Sequence, residues 1–599
     1  MCGIFFSLST NGSVLPNEET CTLLRNRGPD SFQVHTVQRS LAPGHSVHSP
    51  APNIVLTFVS TVLSLRGDRI HSQPFVDPTT QSVLCWNGEA WKIAGEPVQD
   101  NDTELIFQSF LHAIKPCSGQ ELSRTSTERD EKGAVRRIAD VISNITGPFS
   151  FVFYDAVNSK LYFSRDCLGR RSLLRGLDEA GNLRICSICD SSSSTHFDEV
   201  DTNGVHMIDF EQNILQNALG PGPIKFNLES IQTLPWEHKE PSLSYLQTQR
   251  NPIPQMNKSI PDGTPPPLTV DSPCVQELEQ ALRESLQLRI QNVPEPPSTT
   301  SGDVKVSVLF SGGLDCTLLA RLSHDVLSKD ETIDLLNVAF ENPRVAAAAA
   351  NKGEATLSVY ESCPDRMTGR AAFAELQRVC PDRNWRFVAI DIPYAQTIAH
   401  RDMVKRLMRP HNTEMDLSIA CALYFASRAK GTALDSRGNS IEPRQYTSSA
   451  RVLLSGLGAD ELFAGYARHG VAFARDGFRG LIDEIHLDVS RLGKRNLGRD
   501  DRILSNCGRE PRYPYLDEDF VSYVLRAPVW EKCGFGVPDL PEGTTTDQTG
   551  IDSEKKALRL LALKLGMSHV AREKKRAIQF GSRTAKMEKG RTKGTDALS

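Results

Sequence analysis

No stretch of this chain is apolar over the about 18 uninterrupted residues that a membrane helix needs, so no membrane-spanning helix is expected. No block of one charge sign dominates either. The 68 Lys and Arg stand against 73 Asp and Glu, and a net charge of −5 gives no reason to expect a nucleic-acid or membrane surface. The Lys/Arg-rich stretch 572–594 reads as a solvated tail. The 14 cysteines are scattered singly apart from Cys186-Ser187-Ile188-Cys189. One C-x-x-C in a strand-like run, with no second pair, reads as two ordinary thiols rather than a metal or redox site. That usage excludes a disulfide scaffold and suits a reducing, cytoplasmic location. Met1-Cys2-Gly3 is followed by too short an apolar patch for a signal peptide. The phosphate-binding sequence Gly-Lys-Ser/Thr is missing as well.

What is present reads as two different halves. A length of 599 residues predicts more than one core. Residues 2–215 carry short strand-like runs, such as Ile54–Ser60, Ser82–Trp86, Phe149–Tyr154 and Lys160–Ser164. Turn residues punctuate them, and helical patches fall at Thr20–Asn26 and Thr103–Ala113, which predicts an α+β layered domain. Residues 216–273, with Pro265-Pro266-Pro267, read as a linker. From 274 to 586 an amphipathic helix is followed by alternating strands and helices. The strands are Lys305–Phe310, Ile333–Phe340, Trp385–Ile390 and Arg451–Ser455. Such alternation predicts an α/β domain built on a parallel sheet. Ala346–Ala350 suits a helix start or disorder equally, and 587–599 reads as a disordered tail.

Two constellations carry chemistry. Removal of Met1 would put a thiol and a free α-amine on Cys2, uniting nucleophile and general base in one residue. An amide-cleaving thiol needs an oxyanion hole, which the Asn87 side chain and the Gly88 N–H can supply at the end of a strand. Taken singly, Asn-Gly is a hairpin turn, Asp102 a helix cap and Arg27-Gly28-Pro29-Asp30 a polar loop; taken with Cys2 they suggest a site. The second constellation is Ser311-Gly312-Gly313-Leu314-Asp315, which follows a buried strand and opens a helix, a backbone cradle for phosphates. Ser455-Gly456-Leu457-Gly458-Ala459-Asp460-Glu461 repeats the arrangement. Asp315 and Asp460 can reach one crevice at the carboxyl ends of the strands, where two carboxylates suit Mg²⁺ on a triphosphate.

Cys2-Gly3-Ile4, Arg27–Asp30, Asn87-Gly88-Glu89, Asp102, Gly147-Pro148-Phe149 and Ser164–Arg171 resemble the class II glutamine amidotransferases. The resemblance implies an Ntn-type αββα domain in which Cys2 attacks glutamine, Asn87 and Gly88 form the oxyanion hole, and Leu63, Leu65, Arg66, Glu89 and Asp102 bind glutamine. The two Gly-rich segments, with Asn496–Arg502 and Arg512–Asp517, resemble the PP-loop ATP-pyrophosphatase half of asparagine synthetases. That half implies ATP bound by Leu309, Ser311, Gly312, Gly313, Asp315, Val338, Ser455, Gly456, Gly458 and Asp460, with Mg²⁺ on Asp315 and Asp460 and a catalytic Lys575. The implied reaction transfers the amide nitrogen of glutamine to an acceptor carboxylate, aspartate in the family, in a chain that needs neither nucleic acid nor membrane and in which a homodimer is left open. Pro364–Arg370 and Lys574–Arg583 are similar to a divergent eukaryotic branch of that family. The chain departs from the common pattern at three places. Val62 stands where an Arg pairs with the carboxylate of glutamine, Cys316 follows Asp315 in place of Ser, and Leu457 replaces an acceptor-side Glu.

Overall fold

The computed structural model describes residues 2–41, 53–67, 69–115, 124–190, 196–216, 224–236, 253–295, 304–351, 358–436, 442–538, 548, 550–587 and 593–598, with the backbone alone at 124–132 and 349–351. Residues 217–223 and 237–252 of the expected linker, and 588–592 and 599 of the expected tail, lie outside this set; within the described part of the linker, Gln232–Pro235 is a strand paired antiparallel with Gly204–Asp209, because its alternating side chains complete a sheet edge. The chain divides into two compact units, Met1–Pro252 with Leu492–Gly508, and Ile253–Arg491 with Arg509–Ser599.

The first unit is built on two six-stranded antiparallel sheets. In one, Gly3–Ser9 lies between Leu183–Cys186 and Asn53–Val62; in the other, Phe149–Asp155 lies between Lys160–Arg165 and Val83–Gly88. Side-chain alternation along these strands sorts the residues into layers. Ile4, Phe6 and Leu8 of the first sheet share one core with Val83, Cys85 and Val152 of the second. The opposite face of the first sheet carries Phe5 and Val59 against Leu24 of the helix Glu18–Arg27. The opposite face of the second carries Trp86, Phe151 and Phe153 against Ile106 and Phe110 of the helix Asp102–Ile114 and Ile138 and Ile142 of the helix Arg124–Ser143. The order of layers is therefore helix, sheet, sheet, helix. The third helix has no counterpart in the sequence reading, because its first two turns are almost wholly polar.

The second unit has a seven-stranded sheet. Trp385–Ile392, Ile333–Phe340, Val306–Leu309, Val452–Leu454 and Glu510–Arg512 run parallel in that order, and Lys430–Asp435 and Arg444–Thr447 extend the Trp385 edge antiparallel. The sheet is thus mixed, with a parallel centre, rather than parallel throughout. The helix Pro273–Ile290 buries Val275, Leu278, Leu282 and Leu286 as its apolar spacing predicts, together with Arg289, which is neutralised by Asp517 at 2.9 Å. Pro343–Asn351 is helical. Part of the expected tail is ordered: the N–H of Glu414 donates to the carbonyl of Asp596 at 3.0 Å, and Thr413 bridges Ala597. Among the described residues, no helix is long and apolar enough to cross a membrane.

The expected unbroken domain 274–586 is interrupted, because Leu492–Gly508 packs with the first unit. The physical cause is charge pairing. Asp501, in the helix Leu497–Ser505, meets Arg27 at 2.9 Å, and both side chains are fully buried.

Candidate active sites

In the first unit, Cys2 stands at the head of a central strand of one sheet and Asn87-Gly88 at the end of a strand of the other. The Cys2 N–H donates to Asn87 Oδ1 at 3.0 Å, and Asn87 Nδ2 donates to Ser150 Oγ at 3.4 Å. Arg27 Nε donates to the Cys2 carbonyl at 3.3 Å, and Thr61 Oγ1 accepts the Gly3 N–H at 3.0 Å. The thiol is therefore fixed from its own backbone on both sides. A neighbour absent from the sequence reading is Gln73, in the polar run His71-Ser72-Gln73-Pro74. It is buried, accepts the Trp86 N–H at 2.7 Å and brings Nε2 to 4.0 Å from Cys2 Sγ.

The expected glutamine-binding groups gather at Arg66. Its Nε is paired with Glu89 Oε2, its Nη1 donates to the Val98 carbonyl at 3.1 Å, and its guanidinium lies 5.0 Å from the Trp91 ring centroid. Asp102 is buried, accepts the Ala90 N–H at 2.8 Å and Trp86 Nε1 at 3.2 Å, and is pushed up in pKa by burial against the opposing pull of Arg66. Leu63 and Leu65 form a small buried cluster of their own. Val62 is buried at the end of its strand, and its carbonyl accepts the Asp30 N–H at 2.9 Å. Arg66 is thus the cation that meets Glu89, and Val62 contributes only shape. Asp166, from the segment Ser164–Arg171, is a turn organiser. It accepts the N–H groups of Phe149, Leu168 and Arg170 and pairs with Arg170 Nε at 2.9 Å.

In the second unit, Ser311-Gly312-Gly313 joins the strand Val306–Leu309 to the helix Leu314–Val326. Gly312 is at φ +81°, and a Cβ there would lie 2.4 Å from the Gly369 nitrogen, so glycine is required twice over. Leu309 is in register with Leu336, which places Val338 two residues further along the same face of the neighbouring strand. The loop Ser455–Gly458 follows the strand Val452–Leu454 and abuts the first loop, since a Cβ at Gly456 would lie 2.9 Å from Asp315 Cβ. The structure thereby brings Asp315 and Asp460 together, and it supplies a residue the sequence reading lacked. Lys555 Nζ lies 2.6 Å from Asp315 Oδ2 and 2.6 Å from Asp460 Oδ1. Its backbone is left-handed at φ 54°, and its stem passes through space that a Cβ at Gly465 would fill. Lys575 Nζ is 3.0 Å from Asp460 and 3.7 Å from the Tyr466 ring centroid.

Burial disfavours ionisation of both aspartates. Lys555, then Lys575, overcome this at Asp460, whose pKa is lowered, whereas Asp315 stays raised. Burial lowers the pKa of Lys575 despite the pull of Asp460, while the two aspartates hold that of Lys555 well above its usual range. Asp315 Oδ1 is buried without a hydrogen-bond partner among the described residues. Two carboxylates and two ammonium groups thus stand together beside two glycine-lined loops and a helix N-terminus. Leu457 is half-buried, and its N–H donates to Ser455 Oγ at 3.4 Å. Cys186 and Cys189 are free, buried thiols.

Residues 478–594 match the asparagine synthase family model. The asparagine synthetase domain-containing protein 1 of Bos taurus is 32% identical over 99% of this chain and 97% of its own length. That of Homo sapiens is 31% identical over 100% of this chain and 97% of its own length. A solved glutamine phosphoribosylpyrophosphate amidotransferase from B. subtilis, complexed with ADP and GMP, is 12% identical over 56% of this chain and 66% of its own, at a TM-score of 0.21 too low to bear on the fold. At this identity and coverage with its relatives, the chain belongs to the family of asparagine synthetase domain-containing protein 1.

Proposed function

We propose that the chain is a glutamine-hydrolysing, ATP-dependent amide-forming ligase, with aspartate as the first acceptor to test. Aspartate, glutamine, ATP and water would give asparagine, glutamate, AMP and pyrophosphate. The observation that carries this reading is the Asp315–Lys555–Asp460 cluster at two glycine-lined loops, in a chain whose Cys2 is held against Asn87. On this reading the Ntn-type layers in 2–215 serve glutamine and the PP-loop segments in 274–586 serve ATP.

In the first unit, Cys2 Sγ attacks the side-chain amide of glutamine, and the α-amine freed by loss of Met1 takes the thiol proton. Asn87 Nδ2 leaves Ser150, and with the Gly88 N–H it stabilises the oxyanion. The Arg66–Glu89 pair opens, so that Arg66 meets the carboxylate of glutamine while Glu89 and Asp102 meet its ammonium. In the second unit, the backbone N–H groups of Ser311–Gly313 and the ammonium groups of Lys555 and Lys575 neutralise the phosphates. Asp315 and Asp460 would hold Mg²⁺, which uses one or two carboxylates plus substrate phosphates. That fits a cluster with a free carboxylate oxygen and no group of three or more metal-ligating side chains among the described residues. When bound, the ion supplies charge neutralisation to the departing pyrophosphate.

Purified protein supplied with glutamine, aspartate and Mg-ATP is expected to form asparagine and AMP together, and Cys2→Ala to form them from ammonia alone. No AMP above background with either nitrogen donor overturns the reading.

Val62 and Leu457 favour a second reading, a nucleotide-binding scaffold whose catalysis has decayed or which serves another acceptor. A lost carboxylate contact costs on the order of 2–3 kcal/mol in glutamine binding. A lost acid–base group costs about 10²–10⁴-fold in rate. A large gain of activity in Val62→Arg, Leu457→Glu supports decay, and no gain supports another acceptor.

A further inference from the structure

The second unit carries a cavity of about 270 Å³, and none of the residues named above for glutamine or ATP lines it. Its walls come from the helices Tyr394–Met408 and Glu414–Arg428, from Gln579–Met587 and from Lys593-Gly594. The helix Glu414–Arg428 opens on Thr413, whose Oγ1 accepts the Asp416 N–H at 3.2 Å. Its first N–H groups are satisfied by residues 594–596: Glu414 donates to the Asp596 carbonyl at 3.0 Å, and Met415 to that of Gly594 at 2.9 Å. The wall Gln579–Met587 is tied to the end of the strand Ile333–Phe340. The Phe340 N–H donates to the Ser582 carbonyl at 3.1 Å, and Asn342 Nδ2 donates to the carbonyls of Arg583 and Ala585 at 3.1 Å each.

The lining is largely apolar, and Leu417 and Cys421 form part of its floor. Ile398, Met415 and Phe580 are 44%, 46% and 57% exposed, and all three line this one cavity. Large apolar side chains left in water and converging on a hollow mark a binding surface rather than scattered surface residues. The polar groups around it are mostly donors. Arg401 faces Glu414 at 3.8 Å, so those two charges offset each other. Lys586 and Lys593 have no such match. Their ammonium groups, the Tyr394 hydroxyl and the Gln579 side-chain amide make no hydrogen bond or ion pair among the described residues. An apolar hollow with two unmatched cations at its rim calls for a ligand with an apolar body and an anionic end. A cationic head would be repelled by both lysines, and a dianionic one would lose more hydration against the apolar walls and meet Glu414 as well.

We propose that this cavity is a binding site for a small amphipathic monocarboxylate. The carboxylate meets Lys586 and Lys593, and the apolar body lies on Ile398, Met415 and Phe580. Small-molecule pockets begin at about 300 Å³, so the volume suits a medium-length chain or a single ring rather than a long acyl chain. Removal of the exposed apolar surface from water supplies the affinity, and the two ammonium groups select the sign of the head group. The site requires neither glutamine cleavage nor ATP binding, so it stands or falls independently of the proposed ligase activity.

The test is calorimetric titration of the full chain with octanoate as the probe, beside octanol, octylammonium and octyl phosphate, which carry the same body on other heads. Octanoate is expected to bind one to one, and octanol and octylammonium about tenfold more weakly or worse. Octyl phosphate is expected to bind no more tightly than octanoate. The double variant Lys586→Gln, Lys593→Gln removes rim charges without touching the core. It should weaken octanoate about tenfold and leave octanol within about twofold. Ser418→Phe, which fills the hollow, should abolish binding of both; if it does not fold, the lysine variant decides alone. No saturable octanoate binding overturns the site. So does octanoate binding that is unchanged in the lysine variant. Octanol binding as tightly as octanoate, or octyl phosphate binding about tenfold more tightly, overturns the monocarboxylate assignment. A chain that sediments as a dimer and becomes monomeric in Phe580→Ser covers this surface with a second copy and overturns it as well.

Discussion

In the first unit, two buried arginines meet buried carboxylates, Arg27 with Asp501 and Arg170 with Asp166, each at 2.9 Å and each at most 1% exposed, and Arg171 also approaches Asp501 at 3.7 Å. The second unit has such a couple in Arg289–Asp517, but it also buries two ionisable side chains, Lys532 and Asp365, whose charged forms burial disfavours. Lys532 is 1% exposed, its Nζ has no partner among the described residues, and burial lowers its pKa to about 8. Asp365 is 7% exposed, and burial raises its pKa to about 7 against the pull of Arg576. Coupled charges cost stability when one partner is removed, whereas uncoupled ones cost stability by being charged at all. The two kinds of buried charge, Arg27–Asp501 in the first unit and Lys532 or Asp365 in the second, should therefore respond in opposite senses to neutralising substitutions.

The largest test of that contrast is Arg27→Met. It removes the nearer of two buried arginines from Asp501 and leaves Arg171 at 3.7 Å, so a loss of about 3 kcal/mol is expected in denaturant unfolding monitored in the first unit. An unchanged transition would end the contrast. Lys532→Met should act oppositely and stabilise by about 2–3 kcal/mol at pH 7. The sign follows from a folded pKa below the unfolded one. The penalty is full below about pH 8 and fades as the unfolded lysine also deprotonates, so the gain should vanish above about pH 10.5 in thermal scans across pH. Asp365→Asn should give a smaller gain, about 2 kcal/mol at pH 8, because the buried amide keeps unsatisfied polar atoms that offset part of a carboxylate penalty of about 4 kcal/mol. Here the folded pKa lies above the unfolded one. The neutral acid is tolerated below about pH 4, and the cost grows as pH rises to about 7, so the gain should be nearly absent at pH 4. The smallest effect concerns binding rather than folding. Arg66→Ala, which removes a 13% exposed guanidinium from Glu89, should raise the KM for glutamine about tenfold with little change in Tm.

How much of this was legible in the sequence depended on whether the deciding contact was local. Ile333–Phe340 was readable as a strand because eight consecutive buried residues leave no other period to fit. The glycine loops were readable because a strand–Gly-Gly–helix junction states its own geometry. Glu510–Arg512 was not readable, since a strand of two charges flanking a proline looks like a loop; pairing with Val452–Leu454 and the Arg512–Glu510 ion pair are what bury it. Lys555 was hidden for a similar reason. Nothing near it in sequence distinguishes it from the exposed lysines of a helix start, and only Asp315 and Asp460, brought from far along the chain, make it internal. Gln73 was masked by a polar neighbourhood and is identified only by its approach to Cys2.

The return of Leu492–Gly508 to the first unit also bears on how this protein can be taken apart. A fragment ending at residue 252 would contain Cys2, Asn87, Arg66 and every strand of both sheets, yet it would lack Asp501 and Ser505, leaving the Arg27 guanidinium buried with no carboxylate to meet it. The two halves of the molecule are therefore not interchangeable cassettes. Isolating the first unit requires bringing residues 492–508 back, spliced onto the fragment or supplied in trans.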